Sequence, residues 1–278
     1  MIKKSILICI CLLFASSTSW AQRIISLPFS GGYDEDAFIQ IGMQYNYISQ
    51  NLQLTLKDNW KQFPLDFDED DIAFLGDLKS IQSKRGTGLS IGIPIDFQLS
   101  QHVHLNVNPS FTILNGHGVR YVSRDTALGS LVRKSKHVTQ DLIGDNFNSL
   151  EIPIGLKFRS AEKSIPGKDV RYRGYLLGGV RLSKWVGLSK NYSDLLQQQS
   201  ANQQYAEAIV LKPEYLSWEA GMGFDIYLSY FKVSPEIRFS QSVNNVLANN
   251  HTLSKDNKFM APIDKALIRN VYFSLIFQ

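Results

Sequence analysis

The charges in the second half of the chain fall at every second residue. Glu151, Lys157 and Arg159 lie in one alternating run, and Arg171, Arg173 and Arg181 in the next. Glu219 and Asp225 follow in a third, and Lys232, Glu236 and Arg238 in a fourth. Residues two apart share one face of a β-strand, so each run gathers its ions on one side. Such a face could line a gated ion path, or the ions could pair with one another. The signs favour pairing, because Glu219 and Asp225 stand between the bases of the runs before and after. An isolated buried ion is very costly, so a shared interior must neutralise itself. The expected site is therefore structural: a plugging network of Glu151, Lys157, Arg171, Arg173, Arg181, Glu219, Asp225, Lys232, Glu236 and Arg238.

Other motifs lack the context their chemistry needs. Gly88-Leu89-Ser90-Ile91-Gly92 matches the G-x-S-x-G pattern of a nucleophile elbow. That elbow needs a sharp strand-to-helix turn, and here an alternating strand continues through it. His102 and His104 share a face, but no third zinc ligand is near in sequence, so they read as a polar pair at a strand end. His117, His137 and His251 are scattered. The acidic run DFDEDD at 66–71 lacks the glycine and spaced glutamate of a calcium loop and reads as a solvated segment. No catalytic residue, cofactor, metal or small-molecule substrate is expected.

These residues need strands to position them, and the whole chain supplies eight. In the first, Ile39, Ile41, Met43, Tyr45 and Tyr47 alternate with Gln40, Gly42, Gln44 and Asn46. The second carries Leu89, Ile91, Ile93, Ile95, Phe97 and Leu99 on one face, the third Val103, Leu105, Val107, Phe111 and Ile113. Runs at 150–159, 170–182, 216–228, 231–239 and 267–277 repeat the pattern. The connections alternate in length: long at roughly 50–86, short at Ser100-Gln101, long at 114–148, short at 160–169, long at 184–213, nearly nothing at Ser229, long at 241–266. A Greek-key sandwich has no reason to do this. An up-and-down transmembrane β-barrel does, with short periplasmic turns and long extracellular loops. The fold expected is thus all-β: an eight-stranded antiparallel barrel, lipid-facing outside and filled by side chains inside. A secreted soluble β-sandwich is the rival.

The start of the chain fits that destination. Lys3 and Lys4, the apolar run Ile6 to Phe14 and Ser19-Trp20-Ala21 read as a signal peptide over 1–21, with the barrel over 22–278. Both cysteines lie in the leader, so the mature chain is expected to have no disulfide and no thiolate chemistry. Removing residues 1–21 also removes Lys3 and Lys4, and the balance of bases to acids falls from 29 against 25 to 27 against 25. That near-neutrality argues against a nucleic-acid partner.

With the signal peptide and a last strand ending in an aromatic, LEIPIGLKFRS at 150–160, YRGYLLGGVRLS at 172–183, the hairpin from Trp218 to Phe239 and the final NVYFSLIF resemble the PorT family of Bacteroidota outer-membrane barrels. The resemblance covers essentially the whole mature chain. It implies a non-enzymatic component needed for type IX protein secretion, located in the cell outer membrane, in contact with its lipid and with other secretion-system proteins. Eight strands are too few for a protein conduit, so an assembly or accessory role is implied. The alternatives are an OmpX-like structural or adhesive barrel whose outer loops bind a partner, and a lipid-modifying outer-membrane enzyme.

Overall fold

The computed structural model describes residues 25–27, 37–62, 78–124, 129–134, 147–164, 166–167, 170–202, 208–255 and 257–278. The segment 1–21 expected to be a signal peptide, the acidic run at 66–71 and His137 lie outside them. Eight strands carry the architecture: β1 (Ile39–Ile41 continuing as Met43–Leu56), β2 (Gly86–Gly92, then Ile95–Gln98), β3 (Val103–Val107, then Ser110–Asn115), β4 (Phe147–Arg159), β5 (Arg171–Trp185), β6 (Glu214–Tyr227), β7 (Lys232–Ser242) and β8 (Ile263–Phe277). Each is rich in β-branched and aromatic residues at alternate positions, the composition that favours a pleated, half-buried surface.

Each strand pairs antiparallel with its sequence neighbours, β8 pairs back onto β1, and β4 joins β3 to β5. Pairing therefore runs from strand to strand and returns to its start. The register gives the pitch of this ring. From Asn51 the partners are Arg269, Gln241, Trp218, Val180, Ile154, Val107 and Ile95, and Ile95 faces Ile41. One circuit moves ten residues along β1, from 51 to 41. With a rise of about 3.3 Å per residue and about 4.8 Å between strands, that stagger corresponds to a tilt of about 40°.

The faces of the ring are inverted over most of its height. Outward stand Leu89, Ile91, Leu156, Leu176, Met222 and Phe224, each more than one third exposed. Inward, Asp96, Lys157, Arg181, Glu219, Asp225 and Arg238 are all buried. On β6 the outward apolar run from Leu216 to Ile226 covers about 25 Å of height at that tilt, the usual thickness of a barrel's lipid-facing band.

Towards the long loops this polarity reverses. Near one level the outer face of each strand carries a polar residue: Asn51, Thr87, Asn115, Asn148, Lys184, Glu214, Gln241 and Arg269, with Val186, Val243 and Leu267 as outward apolar residues just above. On the inner face at that level, Ile48, Leu52, Leu114, Trp185, Tyr215, Ile268 and Ala266 are buried together. The loops complete this apolar upper core. Leu78 and Ile81 come from the strand Leu78–Lys84, and Val119 and Tyr121 from its partner Gly118–Ser123, to which Ser130–Lys134 adds a third strand. Helix α1 (Leu188–Asn202) contributes Leu188, Tyr192 and Leu195, and Ile209, Val210, Leu211, Phe259 and Met260 fill the rest. The Tyr121 hydroxyl donates to the Phe259 carbonyl, and the Leu211 amide donates to the Tyr192 hydroxyl at 2.8 Å.

The first connection is shorter than the alternation predicts, because β1 runs on to Leu56. The sequence pattern fades after Tyr47 since the apolar residues change face there. At the opposite rim the turns are tight: the Val103 amide donates to Ser100 Oγ at 3.1 Å, and the Leu228 amide to the Phe231 carbonyl at 3.0 Å. There β1 continues below the end of β8, and Ile25–Ser26 pairs in parallel with Ile39 and Gln40. Ser26 points inward while Ile25 and Leu27 are exposed, so this short segment extends the wall.

Candidate functional site: the charged lumen

Five acids and five bases are buried inside the ring among the described residues: Asp96, Glu151, Glu219, Asp225 and Glu236 against Lys157, Arg159, Arg181, Lys232 and Arg238. They form two tiers. Near the short turns, Lys157 Nζ stands 3.1 Å from Asp96 Oδ2. The same carboxylate accepts from Asn106 at 2.7 Å and from the Gln278 amide at 3.2 Å. Asp225 meets Arg159 Nε at 3.1 Å and Lys232 Nζ at 3.9 Å, and accepts from Ser234 Oγ at 2.6 Å. Arg159 Nη1 lies 2.9 Å from His104 Nε2. Since a guanidinium can only donate, that nitrogen accepts and the ring proton sits on Nδ1.

In the upper tier Arg181 bridges two acids, with Nη1 2.6 Å from Glu151 and Nη2 2.7 Å from Glu219. Arg238 reaches Glu219 at 3.2 Å and also pairs with Glu236. Two tyrosines donate to the remaining lone pairs: Tyr175 to Glu236 at 2.9 Å and Tyr272 to Glu151 at 3.2 Å. Their rings lie under cations, Lys157 over Tyr175 at 4.3 Å and Arg181 over Tyr272 at 4.1 Å. Arg238 Nη2 donates to Asn106 at 3.3 Å and ties the tiers together. Glycines make the room. A Cβ at Gly221 would sit 2.8 Å from Arg238 Cγ, and one at Gly223 would collide with the Tyr175 hydroxyl.

Of the ten residues expected in this network, eight are in it: Glu151, Lys157, Arg181, Glu219, Asp225, Lys232, Glu236 and Arg238. Arg171 requires a correction: it lies at the short-turn rim, 3.1 Å from Glu162. Arg173 also reaches Glu162, at 3.2 Å, but its side chain is 11% exposed and it stands opposite Asp225 at the foot of the lumen. The side chain of Arg171 is half exposed, because β5 starts at that residue and the lumen begins above it. His104 also differs from expectation: it is buried against Arg159, while His102 is exposed in the turn. Asp96, His104, Tyr175 and Tyr272 join the network without having been named in it. Asp96 is a lone acid in the apolar run IPIDF, and that was the available sign.

Every lumenal carboxylate is ion-paired, and among the described residues no group of three His, Cys, Asp or Glu side chains could hold a metal ion. Ser90, of the G-x-S-x-G match, is buried in mid-strand opposite Asn46 and Thr112. The arrangement is suited to locking strands together.

No family model matches the chain, and no curated protein matches it. Among solved structures it is similar to the crystal structure of Neisserial surface protein A, at 7% identity and a TM-score of 0.35, over 85% of this chain and 95% of that one. It is also similar to Ail, the attachment invasion locus protein of Yersinia pestis, at 10% identity and a TM-score of 0.29, over 85% of this chain and 96% of that one. Both are outer-membrane β-barrel proteins.

Proposed function

We propose that this chain is an eight-stranded outer-membrane β-barrel with a sealed interior, acting as a non-enzymatic scaffold. The observation that carries the reading is the reversal of face polarity. Below the ring of Asn51, Thr87, Lys184, Gln241 and Arg269 the wall is apolar outside and charged inside; above it the wall is mostly polar outside, Val186, Val243 and Leu267 excepted, and apolar inside. Hydrocarbon below and water above is the pair of environments that rewards this change. An apolar face this long in water would be an aggregation hazard.

The folded cap built by the long loops is the surface offered to partners. The resemblance of the strands at 150–160 and 172–183 to the PorT family makes type IX protein secretion the process in which that surface serves, as an assembly or accessory component. A second reading, an OmpX-like structural or adhesive barrel, uses the same cap on an external partner.

Two measurements test this. Heat-modifiable migration of the membrane fraction checks the barrel, and a soluble periplasmic product would refute it. A strain lacking the gene separates the two roles. Cargo with type IX signals accumulating in the periplasm supports the secretion role, and normal cargo export with loss of surface attachment supports the second.

A further inference from the structure

The polar ring at the top of the apolar belt is not uniform. Lys184 and Glu214 face each other across β5 and β6 at 2.5 Å and cancel. On β8 two outward cations do not cancel. Arg269 donates Nε to Gln241 at 2.7 Å, and among the described residues neither terminal nitrogen of its guanidinium has an acceptor. Lys265, four residues earlier and on the same face, has no acidic partner among the described residues. The register sets Asn51 of β1 opposite Arg269 and Thr55 opposite Lys265, with Gln53 between them. Amides thus flank the two cations on the same outer wall. The cations are about 13 Å apart along the strand.

The position selects the ligand. These groups lie at the upper edge of a lipid-facing band, so what touches them laterally is the headgroup layer. A guanidinium with two free nitrogens takes phosphate in a planar, bidentate way, and an ammonium nearby adds a point charge. The long aliphatic stems of Arg and Lys lie over apolar wall while their heads reach the headgroups. We propose that the outer face of β1 and β8 above the belt binds a phosphate-bearing lipid headgroup, Arg269 gripping one phosphate, Lys265 adding a second contact, and Asn51, Gln53 and Gln241 bonding headgroup oxygens. This rests on the membrane-spanning reading above.

The test uses the full chain refolded into three vesicles: phosphatidylcholine alone, phosphatidylcholine with a minor share of diphosphorylated lipid A, and the same with lipid A stripped of its phosphates. Native mass spectrometry counts the lipid that stays bound. Wild type retains the phosphorylated lipid in preference to the stripped one by about tenfold, as two charge-assisted contacts imply. The double variant R269Q/K265Q loses that preference, R269K keeps part of it, and K184Q keeps it all. Equal retention of the two lipid A forms by wild type, with all proteins inserted and heat-modifiable, overturns the headgroup site and leaves the barrel reading standing. Failure of wild type to insert into any vesicle overturns both.

Discussion

Arg181 holds Glu219 with two nitrogens at once, Nε at 2.9 Å and Nη2 at 2.7 Å from the same carboxylate oxygen. The residues lie on adjacent strands and their side chains are at most 4% exposed. Glu219 also meets Arg238, so one carboxylate ties β5, β6 and β7. Removing it leaves two guanidiniums short of charge in a site away from water. Glu219→Ala should lower stability by about 3–5 kcal/mol, the usual cost of breaking a buried pair from one side. Urea unfolding in lipid vesicles, followed by tryptophan fluorescence, reads this directly. A loss below about 1 kcal/mol, the scale of an exposed pair, would show that water screens the lumen.

The interior is closed twice, by the charge tiers and by the apolar core above them. Planar-bilayer recordings of the wild type should therefore show no steady conductance, because an eight-stranded interior is only wide enough to be filled. Steady single-channel currents would overturn this.

The reversal of polarity makes a contrast within a single strand. Ile91 and Thr87 are both outward on β2, four residues apart, one in the apolar belt and one in the polar ring. Ile91→Arg should cost about 2–4 kcal/mol in vesicles and Thr87→Arg about 0–1 kcal/mol, following the depth dependence of charge on a barrel's lipid face. Equal costs would mean that no hydrocarbon boundary lies between them.

Trp185 is 4% exposed and packs against Tyr215 with ring centroids 5.7 Å apart. Trp185→Ala should cost about 3–5 kcal/mol as a large-to-small change in a packed core. The cap should then become sensitive to protease while the ring stays heat-modifiable. Protection of the loops in that variant would show that the cap does not depend on the upper core.

Burial pulls His117, in the cap, from its ordinary value of 6.5 down to about 4. Its folded pKa lies below its unfolded one, so the unfolded state takes up more protons between those values. Stability of the cap should be full above pH 6.5 and fall towards pH 4, by about 3 kcal/mol in all. Limited proteolysis across that range measures it, and His117→Gln should flatten the profile. A wild-type profile as flat as the variant's would remove His117 from the account.

Strand positions and outward faces were legible because period two survives any register. The partners of the lumenal ions were less so. Asp96 and Lys157 are sixty-one residues apart in sequence and on strands that do not pair; they meet across β3, whose Asn106 stands opposite both Asp96 and Gly155. Arg171 carries the same parity as Arg181, yet lies too low to enter the lumen. Nothing in the alternation gives height. The upper core was hidden for a related reason: Ile48 and Leu52 occupy the inner face that Gln44 and Asn46 had marked as polar.

The belt of eight polar residues around the wall has one more consequence: it works like a waterline painted on a hull. If the molecule settled into the bilayer by two residues, Arg269 and the Lys184–Glu214 pair would go under; if it rose as far, Leu150, Leu182 and Leu216 would surface. Both displacements are opposed around most of the circumference. On the proposed membrane-spanning reading, the depth at which the protein floats is written into its wall, and with it the height at which the cap stands above the surface.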